Sequence, residues 1–172
     1  MKRAVAVIFL FIVIGVGQAW AASSVKIGVV DLQKAVSECR AGSNARAILM
    51  KRTEELNDEL KAKLADLEKE KAAFDKEASR LSEDTRSEKE KHLQKAGREL
   101  QNRQREAQEE VKQLEADSLK KVVSQLSDLM SRIGTEGGYT AILDKKNGVF
   151  YSSRDIDLTS LLIKRADAEY GK

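Results

Sequence analysis

The sequence predicts a mainly α protein with a small β part: a long antiparallel coiled-coil helical hairpin inserted into a small α+β head that oligomerises. Three observations carry this. The chain has no proline, 34% of its residues are charged, and only 5% are aromatic, the composition of long helices with a small conventional core. Its middle holds two long stretches with apolar residues at heptad spacing. Short β-branched and aromatic runs lie on both sides of that middle, so the helical part reads as an insertion between them.

Residues 1–21 do not read as part of the fold. Lys2 and Arg3 precede an uncharged apolar run, Ala4 to Val16, and Ala19-Trp20-Ala21 supplies small residues at the −3 and −1 positions. This is the pattern of a secretory signal peptide cut after Ala21. The rival is an uncleaved anchor helix, but the run is short for a permanent span. Cys39 lies too far downstream for a lipoprotein. Losing Lys2 and Arg3 lowers the net charge from +3 to +1. A near-neutral chain gives no sequence-wide argument for binding nucleic acid, and none is expected as a partner. Cys39 is the only cysteine, which rules out an intrachain disulfide, and burial in the head is its expected state.

Val25 to Val30 reads as a strand directly after the cleavage site. Asp31 is placed to cap a short helix running to about Glu38, and Gly42-Ser43-Asn44 is read as its break. Ser43 is then the cap of the first long helix, which runs to about Leu81. Leu60, Leu67, Phe74 and Leu81 share one heptad position, taken as d. The matching a positions are Asn57, Leu64, Lys71 and Ala78, so one side of the seam is well filled and the other is mostly polar or small. Thr85-Arg86-Ser87-Glu88 has the form of a capping box and is read as the start of the second long helix. Its seam runs through Leu93, Leu100, Ala107 and Leu114, then shifts to Leu119, Val122, Leu126, Leu129 and Ile133. Gly134 and Gly137-Gly138 are read as its end. Tyr139 to Leu143 reads as a strand, Asn147-Gly148 as a hairpin turn, and Val149 to Ser152 as the return strand. Asp157 then caps a last helix from Leu158 to about Ala168.

A single unbroken helix from 43 to 133 would be about 135 Å long at ~1.5 Å per residue. It would strand the segment 25–30 at one end and leave an isolated hairpin, marginal in water, at the other. Folding back near residues 82–85 unites the strands. The head is then 22–42 with 120–172, and the arm is 43–119. A head this small is marginal alone, and oligomerisation through it is the expected remedy.

The order of these pieces resembles the Skp/OmpH family of periplasmic chaperones for outer-membrane proteins. The resemblance covers Val25-Lys26-Ile27-Gly28-Val29-Val30-Asp31, the charged helical middle, Ala141 to Asp144, Val149-Phe150-Tyr151, and Asp155-Ile156-Asp157-Leu158-Thr159. It implies a homo-oligomer, a trimer joined through the β-containing heads. Unfolded outer-membrane proteins would be its partners, held without ATP in a cavity between helical arms in the periplasm. It also brings in weak contact with lipopolysaccharide or a membrane surface. Against strong electrostatic capture, residues 51–115 carry 16 basic and 18 acidic side chains.

On this reading Leu67, Phe74, Leu81, Leu93 and Leu100 are the candidate client contacts, although they also serve to zip the two helices together. Ile27, Val29, Ile142, Val149 and Tyr151 are the candidate oligomer contacts of the head. No enzyme, cofactor or metal is expected. His92 reads as a solvated helix residue with no second ligand spaced to join it. Asp144 to Gly148 has part of a calcium-loop pattern, but its glycine is one place early and its third position is lysine, so it reads as a turn. The Glu/Lys runs 68–71 and 88–91 read as solvated faces. The other functional classes are a structural coiled-coil spacer or adaptor of the envelope, and a lipid or lipopolysaccharide binder using Arg98, Arg103 and Arg105.

Overall fold

The computed structural model describes residues 25–171, and the expected signal segment lies outside the described residues. Two strands, β1 (Ile27–Val30) and β2 (Ala141–Asp144), pair in parallel with Ile27 opposite Ala141 and Val30 opposite Asp144. Parallel neighbours need a crossover. Here the crossover is everything between them: α1 (Leu32–Glu38), α2 (Arg40–Glu77), a single 3₁₀ turn (Ala78–Arg80) and α3 (Glu83–Gly137). A second 3₁₀ turn (Arg154–Ile156) and α4 (Thr159–Tyr170) close the chain.

Asp31 caps α1 as expected, its carboxylate accepting from the Lys34 amide at 2.8 Å. The break after α1 differs from expectation. It falls at Cys39, whose extended backbone ends α1 and starts α2, so Gly42-Ser43-Asn44 lies within α2 and Ser43 is not its cap. The cap is the Cys39 thiol, which accepts from the Gly42 amide at 3.4 Å. Gly42 is needed for packing rather than for chain reversal. A Cβ there would sit 1.8 Å from the Val36 carbonyl oxygen, so only glycine lets α1 and α2 meet this closely.

At the far end, α2 stops at Glu77, and the Thr85–Glu88 capping box does not form. Ser82 is the cap instead, its hydroxyl accepting from the Thr85 amide at 3.3 Å. Glu83 and Asp84 in the first turn suit the positive end of the helix dipole. α3 runs through Gly134 to Gly137, longer than expected. Gly138 ends it in the left-handed region at φ 62°, and its amide and that of Tyr139 bond back to the last turn.

The largest correction concerns the expected hairpin 139–152. A turn does form, with the Asn147 amide donating to the Asp144 carbonyl at 3.1 Å and Gly148 at φ 90°. The return strand Val149–Ser152 is absent. Phe150 and Tyr151 are 104% and 88% exposed, so within one chain they have no apolar surface to pair over. β1 instead receives Asp157 in an isolated parallel bridge at Val29, with the Leu158 amide donating to the Val29 carbonyl at 2.8 Å.

The core lies at the sheet end. Val30, Ala35, Cys39, Val122, Leu126, Leu129, Ile133, Leu158, Leu162 and Ala166 form one buried cluster, with Val29 also buried. Burying a side chain such as Leu126 or Leu162 contributes about 1.5–3 kcal/mol. Leu119, expected in this stripe, is 52% exposed.

Candidate functional site

α2 and α3 run side by side in opposite directions. Arg52 pairs with Glu110 at 2.6 Å, Glu59 with Arg103 at 2.7 Å, Glu70 with His92 at 3.2 Å and Glu77 with Lys89 at 3.1 Å. Seven residues forward on α2, from Arg52 to Glu59, match seven backward on α3, from Glu110 to Arg103. Eleven forward, from Glu59 to Glu70, match eleven backward, from Arg103 to His92. A constant antiparallel register therefore holds along most of the pair.

Apolar burial along that pair is thin. Between residues 43 and 119, Leu56 and Ala107 are the buried hydrophobic residues, at 2% and 4% exposure. Leu60, Leu67, Phe74, Leu81, Leu93, Leu100 and Leu114 are half-buried. Four of the five candidate client contacts, Leu67, Phe74, Leu93 and Leu100, lie half-buried on α2 and α3, whereas Leu81 lies in the connection between them. Leu67 and Leu100 line one shallow hollow with Lys63, Glu70 and Ala96. The expected heptad assignment is off by one place. Leu64 is 46% exposed, and Asn57 and Lys71 are exposed too. Leu56 is buried instead, four residues before Leu60. Lys63, Glu70 and Glu77 continue the spacing from Leu56. They are exposed as well, but Glu70 and Glu77 reach across to α3, while Ala78 of the expected stripe is half-buried.

Arg103 is the tightest charge in the pair. Its guanidinium donates to both Glu59 oxygens, at 2.8 and 2.7 Å, with Glu106 and Glu110 nearby. The Arg103 bonds hold the Glu59 carboxyl below the usual carboxylate range, and the Glu59 carboxylate raises the Arg103 guanidinium. This fork–fork pairing sets register as well as attraction. It also means that Arg98, Arg103 and Arg105 do not form a patch of three open cations: Arg103 is committed to carboxylates, and Arg105 donates to Asn102.

The candidate oligomer residues divide. Val29 is 2% exposed inside the chain's own core, and Ile142 packs against that core. Val149 is half-buried. Ile27 and Tyr151 are 41% and 88% exposed. Phe150, not singled out from the sequence, is the most exposed large apolar side chain among the described residues; the sequence signal was its place beside Tyr151 after the Asn147-Gly148 turn.

This aromatic loop is anchored at both ends. The Lys145 amide donates to the Val30 carbonyl at 2.8 Å, and the Lys145 ammonium donates to Asp157 at 2.6 Å. Asp157 also accepts from the Thr159 amide and hydroxyl at 2.9 and 2.6 Å. Thr159, itself buried, accepts from the Asp31 amide at 2.9 Å. Burial alone would raise the Asp157 carboxyl, but the Lys145 and Thr159 bonds overcome it and hold it at about 2. Asp157, expected as the cap of the last helix, is not its N-cap, which is Leu158 without a side-chain cap bond. Asp157 instead ties Thr159 of α4 to Lys145, just after β2, and bridges β1 at Val29, while Thr159 makes the link to the start of α1. Cys39 is buried as expected.

Among the described residues no cluster of three or more His, Cys, Asp or Glu side chains is placed to hold a metal ion, and no helix is long and apolar enough to cross a membrane.

No curated protein matches the chain. Its fold is similar to the crystal structure of a candidate outer membrane chaperone (OmpH-like) from Caulobacter crescentus CB15. The TM-score is 0.81 at 20% identity, over 86% of this chain and 87% of that one. The family model for outer membrane protein (OmpH-like) matches residues 26–165. With the family model covering nearly all of the described helices and strands, the chain belongs to the OmpH-like family.

Proposed function

We propose that this chain is an ATP-independent holdase of the periplasm. It binds unfolded outer-membrane β-barrel proteins between helical arms and keeps them from aggregating. The observation that carries the reading is the contrast along the molecule. One end has a closed core, while the α2–α3 pair projects from it with little buried apolar surface. A structural spacer gains from a filled seam. A binder that must accept many sequences gains from weak, scattered apolar contacts that can repack. Leu67, Phe74, Leu81, Leu93 and Leu100 can close on each other when empty and turn to a client when occupied. α2 and α3 form the coiled-coil arm in this reading, and membership of the OmpH-like family supports it.

The assembled form is a homo-oligomer, a trimer, joined at the sheet end through Ile27, Val149, Phe150 and Tyr151. The exposed aromatics and the outer edge of β2 support this, since open edges and apolar patches favour association. The mature protein begins after Ala21, and client binding requires no catalytic group. The test is aggregation of a denatured outer-membrane β-barrel protein diluted into buffer with and without the mature chain, with no nucleotide present. Suppressed light scattering, with client and chain co-eluting, is the expected result. Unchanged aggregation at excess chain would remove the holdase reading.

A further inference from the structure

We propose that Arg52, Glu59, Arg103 and Glu110 form a clasp across the α2–α3 pair that stops opening of its far part from reaching the head. The clasp is written twice in the sequence. On α2, Arg52, Leu56 and Glu59 stand four and then three residues apart, and on α3 Arg103, Ala107 and Glu110 repeat that spacing. Steps of four and three keep the side chains on one face of a helix. Each set places an apolar residue between a cation and a carboxylate, so an antiparallel partner meets each charge with its opposite. Both matches are made. Arg52 Nε donates to Glu110 at 2.6 Å, and Arg103 donates to both Glu59 oxygens at 2.8 and 2.7 Å.

The two pairs are also joined to each other. Arg103 lies 3.8 Å from Glu106 and 3.9 Å from Glu110, and Arg52 donates to Glu55 at 3.1 Å. A forked, connected set contributes more than an isolated exposed pair. Arg103, at 25% side-chain exposure, is the least exposed partner of any ion pair on the arm, and partial shielding from water strengthens its attractions. Between the two pairs Leu56 and Ala107 are buried, lining one hollow with Leu60 and Val111.

The stretches on either side are looser. From 61 to 102 every residue is exposed or half-buried. Toward the head, Leu49 is half-buried and Leu119 exposed before the core begins at Val122. Local opening follows local apolar contact density, so the helices part most readily beyond the clasp, and the clasp sets where parting ends. Leu67, Phe74, Leu93 and Leu100 all lie beyond it. That a client occupies the opened part rests on the holdase reading; the clasp itself does not.

Amide exchange of the full mature chain, measured without client at neutral pH, tests it. The parent should show a step, with residues 52–60 and 102–111 opening less often than 63–77 and 86–100. Glu59→Arg sets two guanidinium groups against each other. It should raise opening of the clasp stretches about 5-fold, the upper end for a partly exposed pair, while residues 122–133 keep their protection. Arginine and glutamate form helices about equally well, so helix propensity does not account for such a change. Reversing all four charges together, with Arg52→Glu, Glu59→Arg, Arg103→Glu and Glu110→Arg, restores both cross-helix pairs and should restore most of the step. Glu54→Arg, on an exposed side chain outside the clasp, should leave the step unchanged. A parent with no step, a Glu59→Arg chain that opens no more than the Glu54→Arg chain, or a four-charge reversal no better than Glu59→Arg alone would overturn the proposal, whatever the client assay shows.

Discussion

Thr159 shows how much one side chain can organise. Its hydroxyl is buried, donates to Asp157 and accepts from the Asp31 amide, so it joins the start of α1 to the start of α4. Thr159→Val keeps the shape and removes both bonds, leaving a backbone donor and a carboxylate oxygen short of a partner. It should cost about 1–3 kcal/mol, read as a lower urea midpoint with unchanged slope. Asp157 sets a pH dependence. Its carboxyl is lowered from 3.8 to about 2 in the folded chain, so its contribution is present above the unfolded value and lost as pH falls from about 4 to about 2. Over that window the parent should lose about 1–2 kcal/mol more than Asp157→Asn, after allowing for solvent screening. Gly42 leaves no room for a side chain. Gly42→Ala forces apart the α1–α2 corner and should lower the melting temperature sharply, whereas Gly97→Ala, with open space at its Cβ, should raise helix stability by about 1 kcal/mol.

At the scale of elements, the sequence marked the existence and type of each helix and of β1 and β2. Apart from the missing return strand Val149–Ser152, its errors were at junctions and in the heptad register. Gly42 looked like a breaker because glycine usually is one. Its role here, a close approach of two helices, depends on a contact invisible in local sequence. Thr85–Glu88 matched a capping box, but Ser82 stands three residues ahead of Thr85 and competes for the same job. The heptad error has a similar origin. Leu60, Leu67, Phe74 and Leu81 are compatible with two neighbouring stripes, and only the α3 partner decides between them. That correction is testable. Lys63→Leu should fill the true seam and raise the stability of the arm by up to about 1 kcal/mol. Lys71→Leu, on the outward side, should leave it unchanged. Amide exchange across residues 60–103 reads the difference, and equal effects would return the seam to its first assignment.

For the whole molecule, the candidate site was legible in part. Leu67, Phe74, Leu93 and Leu100 lie half-buried on the paired helices while Leu81 falls in their connection, and their thin burial and the cross-helix ion pairs required the register of α3 against α2. The expected return strand failed for a reason that belongs to this scale: Phe150 and Tyr151 have no apolar surface to cover in one chain. In the trimer we propose, a neighbouring copy supplies it. Phe150→Ser with Tyr151→Ser should then shift the assembled chain toward monomer in sedimentation, while each monomer keeps its helical circular dichroism. A fully assembled double variant would place the interface elsewhere.

The central claim is that the α2–α3 arm, rather than the end with the core, holds the client. It is tested most directly by deleting residues 49–114, closing the gap with a short turn, and comparing this form with the full mature chain in the β-barrel aggregation assay. The account predicts that the shortened form stays folded and assembled by light scattering but no longer keeps the client soluble, while the full chain does. A shortened form that protected the client as well as the full chain would contradict it.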